Sequence, residues 1–137
     1  MALDRYVIFD DFGRLLDPRL TLGQVHGGVV QGIGQALFEQ ALFDAETGQA
    51  LSGSLMDYAL PRAGDVPSFE GGLTPEFPSR ANRLGVKGSG QAGAIAAPAT
   101  IMNAVMNALM PLGVRHLDMP ATPAHIWAAI EAARTRG

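Results

Sequence analysis

The stretch Leu84-Gly85-Val86-Lys87-Gly88-Ser89-Gly90-Gln91-Ala92-Gly93-Ala94 packs four glycines and two alanines into eleven residues, directly ahead of an alanine-rich helical pattern. A backbone so poor in side chains can take left-handed angles and lets a ligand approach its N–H groups closely. The helix that follows adds unpaired N–H groups and the positive end of its dipole at the same spot. The loop therefore reads either as a cradle for a phosphate-bearing ligand or as a tight turn with a packing role. Its spacing matches neither the Walker nor the dinucleotide-fold fingerprint.

A second glycine-laden segment precedes it. Helical spacing runs from about Leu20 to Ala41, with Val25, Val29, Ile33 and Leu37 at i, i+4 steps. Gly23, Gly27, Gly28, Gly32 and Gly34 lie inside this pattern. Each interior glycine costs a helix roughly 1 kcal/mol against alanine. Close packing at Gly28 and Gly32 is one explanation. The other is a bulky ligand against the N-terminal turns, faced by Gln24 and His26. The glutamines along this surface argue against a membrane GxxxG face.

Elsewhere the pattern predicts an α/β (α+β) domain with about three main helices on a small mixed sheet, undivided over residues 1–137. Tyr6-Val7-Ile8-Phe9 reads as a buried strand whose exposed edge would pair with itself or with a partner. Leu42–Leu51 reads as a hairpin around Ala45-Glu46-Thr47-Gly48-Gln49, and Ser68–Thr74 as a weaker strand. Residues 92–109 form a helix with the apolar stripe Pro98, Ile101, Met102, Val105, Met106 and Leu109. Gly113 marks a stop, Val114–Leu117 a strand, and Thr122-Pro123 the N-cap and first residue of a last helix to Arg134.

Composition narrows the function. A net charge of −3 with 17% charged residues gives no basic footprint for nucleic acid or an anionic membrane. With no cysteine, no disulfide framework or thiolate metal site comes from this chain. The N-terminal residues lack a signal-peptide pattern, no apolar run of membrane-spanning length is expected, and a cytoplasmic location follows. His26, His116 and His125 show no ligand spacing, so no metal site is assigned.

Three ordered stretches, Asp10–Gly34 with its Gly-Gln-Val-His-Gly-Gly core, Gly53-Ser54-Leu55-Met56-Asp57-Tyr58 and Lys87–Gly93, resemble the C-terminal end of a molybdenum-binding large subunit. The family is that of xanthine dehydrogenase, aldehyde oxidase and carbon monoxide dehydrogenase. Asp118-Met119-Pro120-Ala121-Thr122-Pro123 is similar to its final helix entry. The resemblance implies a molybdopterin, in the cytosine dinucleotide form, bound only together with a partner chain and not by the isolated chain. It assigns cofactor contacts to Gln24, Gly88, Ser89 and Gly90, and further ones to Gly93, Thr100 and Asn103. Asp57 and Tyr58 either line the cleft or serve the fold. Expected partners are a larger molybdenum-subunit protein and iron–sulfur and flavin subunits.

The sequence departs from the family pattern at one chemical position. Where the family loop carries a glutamate as general base, this chain has Gln91. An amide cannot take up a proton near neutral pH. Two functions are thus expected: a cofactor-binding piece of a split hydroxylase of aldehydes or N-heterocycles, or a non-catalytic relative that persists as a binding domain or gene remnant. A fragment of a larger enzyme is a third origin for the chain.

Overall fold

The computed structural model describes residues 2–136, leaving Met1 and Gly137 outside the description. Strand β1 (Tyr6–Asp11) runs parallel to β2 (Phe69–Thr74), with Tyr6 opposite Phe69 and Asp11 opposite Thr74. Helix α1 (Pro18–Leu37) leaves the end of β1, α2 (Ala92–Leu109) follows the glycine loop, and α3 (Pro123–Arg134) closes the chain. The pairing joins residues more than sixty positions apart, so its register is set by tertiary packing. Tyr6 and Phe69 meet edge to face at 6.0 Å between ring centroids, the geometry that aromatic quadrupoles favour.

Local chemistry fixes the helix ends. Asp17 caps α1 by accepting from the N–H groups of Arg19 and Leu20, with Pro18 at the first helical position. Thr122 caps α3 in the same way through His125 N–H, again ahead of a proline. Gly113 takes φ +85° and ends a short 3-10 turn, Met110–Leu112. α1 stops at Leu37 rather than Ala41, and Glu39 N–H folds back onto the Gly34 carbonyl.

The core lies between α1 and α2. Val29, Ile33, Ala36 and Leu37 face Ala97, Ile101, Val105 and Leu109, joined by Val114 and Ala121. The helices cross at backbone contact. A Cβ on Gly28 would stand 2.9 Å from Ala94 N, one on Gly93 would meet Val25 O, and one on Gly32 would stand 2.9 Å from Pro98 Cδ. Packing therefore accounts for Gly28 and Gly32.

Two expectations need correction. Val114–Leu117 is not a strand: Val114 turns into the core, and among the described residues the sheet is β1 and β2 alone. The span Ala92–Leu112 is long and apolar enough to cross a membrane by length and composition. Thr100, Asn103 and Asn107 are the polar residues within it. Gly93, Ala97, Ile101, Val105 and Leu109 line the side that packs on α1, so the apolarity belongs to a core face.

The accessible surface is 9508 Å². A compact monomer of 14.4 kDa exposes about 6,800 Å². Large apolar side chains contribute to it: Phe9, Met56 and Trp127 are 71%, 93% and 66% exposed, and no residue of α3 is fully buried.

Candidate cofactor-binding site

The carboxyl end of β1 and the amino ends of α1 and α2 come together at one end of the domain. Open α/β folds bind ligands in this kind of crevice. Three tethers hold the glycine loop there. The antiparallel bridge between Gly13 and Val86 supplies two, Arg14 N–H to Gly85 O at 3.0 Å and Lys87 N–H to Phe12 O at 2.9 Å, and Lys87 Nζ meets Asp11 Oδ2 at 2.7 Å. Gly13 at φ +59° leaves no room for a side chain, since a Cβ would meet Gly85 O. The Lys87 ammonium and the Gly13 N–H hold the Asp11 carboxyl below its ordinary value. Beside it Asp10, with Oδ2 buried and unpartnered, is pushed up by desolvation.

Beyond Lys87 the loop is bare. Gly88 and Gly90 have nothing within 4 Å of where a Cβ would stand, and the same holds for Gly23 and Gly27 on α1. Leu20, Gln24, Gly27 and Gln31 are all exposed and fall on one face at i, i+4, i+7 and i+11. Gln24 reaches from this face to the loop, where Nε2 donates to Gly90 O at 3.0 Å. Ser89 is half-buried, and its carbonyl accepts from Ala92 N–H at 3.3 Å. On the other side of the loop, Phe12, Arg14, Leu15, Thr21 and Lys87 line a cleft of about 260 Å³. Gln91 is the exposed N-cap residue of α2 and makes no side-chain cap. The first N–H groups of that helix thus have no side-chain acceptor.

The structure brings Gln24, Gly88, Ser89, Gly90 and Gln91 into one patch. Gly93 is adjacent, but it is buried in the helix crossing against the α1 backbone, so its small size serves packing and presents no surface to a ligand. Thr100 and Asn103 lie about 12 and 17 Å along α2 from Ala92, at 1.5 Å per residue. Thr100 Oγ1 donates to Ala96 O at 2.8 Å within the helix.

His26 does not join Gln24. It lies on the opposite side of α1 and packs against Phe69, ring centroids 5.1 Å apart. His116 meets Asp118 at 2.9 Å, and His125 Nδ1 meets Pro120 O at 2.8 Å. Among the described residues no group of three acidic or histidine side chains could hold a metal. Tyr58 donates to Glu39 Oε2 at 2.6 Å, which raises its pKa, and Asp57 accepts from Ser54 Oγ at 2.9 Å. Both belong to the C-terminal end of α1, remote from the glycine loop. The Asp11–Lys87 pair was not foreseen. Its partners are 76 residues apart, and only the strand register and the bridge at Gly13 bring them together.

Comparison with known proteins supplies an independent line. The molybdopterin cofactor-binding domain family matches residues 1–67. The nicotine 6-hydroxylase large subunit of Paenarthrobacter nicotinovorans is 43% identical over 123 residues, 90% of this chain and 15% of that protein. The carbon monoxide dehydrogenase large chain of Hydrogenophaga pseudoflava is 36% identical over 93% of this chain and 16% of its own length. Quinoline 2-oxidoreductase from Pseudomonas putida 86 superposes with a TM-score of 0.90 at 35% identity, over 96% of this chain and 16% of that one. The chain thus spans about 15% of the curated relatives it matches.

Proposed function

Because the chain belongs to the xanthine dehydrogenase, aldehyde oxidase and carbon monoxide dehydrogenase family, as a piece of its molybdopterin-binding large subunit, we propose that it forms one wall of a molybdenum hydroxylase cofactor cleft. The observation that carries this is the bare patch around Gln24. A Cβ at Gly23, Gly27, Gly88 or Gly90 would meet no protein atom within 4 Å, so these glycines border open space instead of making room for a neighbouring element. Two of them sit inside a helix, at a cost no packing contact offsets. A flat, polar heterocycle fits such a surface, and the donors present suit its edges and phosphates.

When bound, the cofactor supplies the redox chemistry, and the protein binds and orients it. Gly88, Ser89 and Gly90 offer backbone N–H groups, and Gln24 Oε1 offers an acceptor. Thr100 and Asn103 lie too far along α2 for the same ring system and would meet only a longer extension, in keeping with the cytosine dinucleotide form. Gln91 orients without exchanging a proton, since its amide is neither acid nor base near pH 7.

The rest of the cleft comes from a larger molybdenum-subunit protein, with iron–sulfur and flavin subunits as further partners and aldehydes or N-heterocycles as substrates, in the cytoplasm. Counted on one side, the surplus of roughly 2,700 Å² over a compact monomer lies at the upper end of what obligate interfaces bury per partner. A native mass spectrum of the protein from its host tests this reading. A complex with a larger protein plus a molybdenum pterin is the expected result. A bare monomer or homo-oligomer would favour the second reading, a non-catalytic binding domain, to which Gln91 in place of a carboxylate gives independent support.

A further inference from the structure

We infer that Gln24 is a positioning residue: its side-chain N–H, donated to Gly90 O at 3.0 Å, fixes the peptide between Gly90 and Gln91 and so aims Gln91 and the first N–H groups of α2. The loop is anchored firmly at its start, through Lys87 to Phe12 O and to Asp11. From there to α2 the loop's own backbone bond is the long turn from Ala92 N–H to Ser89 O at 3.3 Å, and a Cβ at Gly88 or Gly90 would meet no atom within 4 Å. Among the described residues, Gln24 is the one side chain that holds the Gly90 carbonyl. Its own platform is rigid, because α1 meets α2 at backbone contact through Gly28 and Gly93. A carboxamide at this position thus carries the rigidity of the helix crossing to the residue before the N-cap.

The clamp stands on geometry, and only its value for cofactor binding rests on the proposed function. Donor and acceptor roles separate in Gln24→Glu, which is isosteric but only accepts when ionised. A Gln24 acting on a ligand through Oε1 would tolerate that change; a clamp would not. NMR relaxation on the 137-residue chain without cofactor, below the concentration at which it self-associates, tests it. Wild type should show Gly90 and Gln91 amides near the rigid order parameter of about 0.85, falling below about 0.6 in Gln24→Ala and Gln24→Glu at pH 7. Values at Ile33 and Ile101 should stay unchanged. Gln24→Glu, but not Gln24→Ala, should regain order as its carboxyl protonates below about 4.3. Unchanged loop order in both variants, a loss spread through α1 and α2, or no recovery on protonation would overturn the clamp. Failure of the cofactor reading would appear separately, as a wild-type complex without molybdenum.

Discussion

At Gln91 one atom separates an amide from a base. The side chain is exposed, caps nothing and sits at the open end of α2, so a carboxylate there meets no steric objection and gains from the helix dipole. General base catalysis contributes about 10²–10⁴-fold where geometry allows. Gln91→Glu in the assembled complex should therefore raise aldehyde or N-heterocycle hydroxylation by up to that factor. Steady-state turnover against wild type checks it, and no gain would place a further lesion elsewhere in the site. The neighbouring carboxylates make a different prediction. Asp11 is held below its ordinary value of 3.8, so its contribution to stability is complete above that pH and fades as pH falls through the depressed value. Asp11→Asn should lower the thermal midpoint at pH 7, and the gap to wild type should close on acidification. Asp10 is raised instead. Its penalty is present above the raised value and relieved as pH falls through it, so Asp10→Asn should shift the midpoint in the opposite sense at pH 7.

Within α1 the glycines are of two kinds, Gly23 and Gly27 bordering open space and Gly28, Gly32 and Gly34 in close contact. Gly28→Ala drives a Cβ to 2.9 Å from the α2 backbone and should cost about 1–3 kcal/mol as overpacking. Gly27→Ala meets nothing and should stabilise the free chain by about 0.5–1 kcal/mol through helix propensity. If the bare patch seats the cofactor, the same Gly27→Ala should lower molybdenum retention in the complex. Denaturant titration and metal analysis of the same variants separate the two effects. Sequence spacing found α2 to the residue and α1 within a few, because periodicity and caps are local signals. It offered packing at Gly28 and Gly32 or a ligand against the N-terminal turns, and gave Gly23 and Gly27 no separate role, since a glycine in a string does not say what it faces. The strand expected at Val114–Leu117 carried the right residue types and lacked a neighbour. His26 and Gln24 were read as one cluster although two residues along a helix turn the side chain by about 200°. The Gln24–Gly90 bond, spanning 66 positions, exists only once the helices cross.

Across the molecule many large apolar side chains are exposed. β1 and β2 form a two-stranded parallel sheet, an arrangement that normally has both faces covered and more strands beside it. Phe9 on its outer face and Trp127 on α3 are largely open to water. The free chain should self-associate with rising concentration, which sedimentation velocity would show. Trp127 fluorescence should be readily quenched by acrylamide in the free chain and protected in the complex, if α3 lies at the interface; equal quenching would leave α3 outside it.

The crossing of α1 and α2 at Gly28 and Gly93 also bears on how this part of the molecule can be re-engineered. Because the two helices touch through backbone, neither can be exchanged without the other. A graft of residues 84–94 from a glutamate-bearing relative would arrive without the groove that seats it, whereas residues 18–37 and 84–109 moved together form a transplantable cassette.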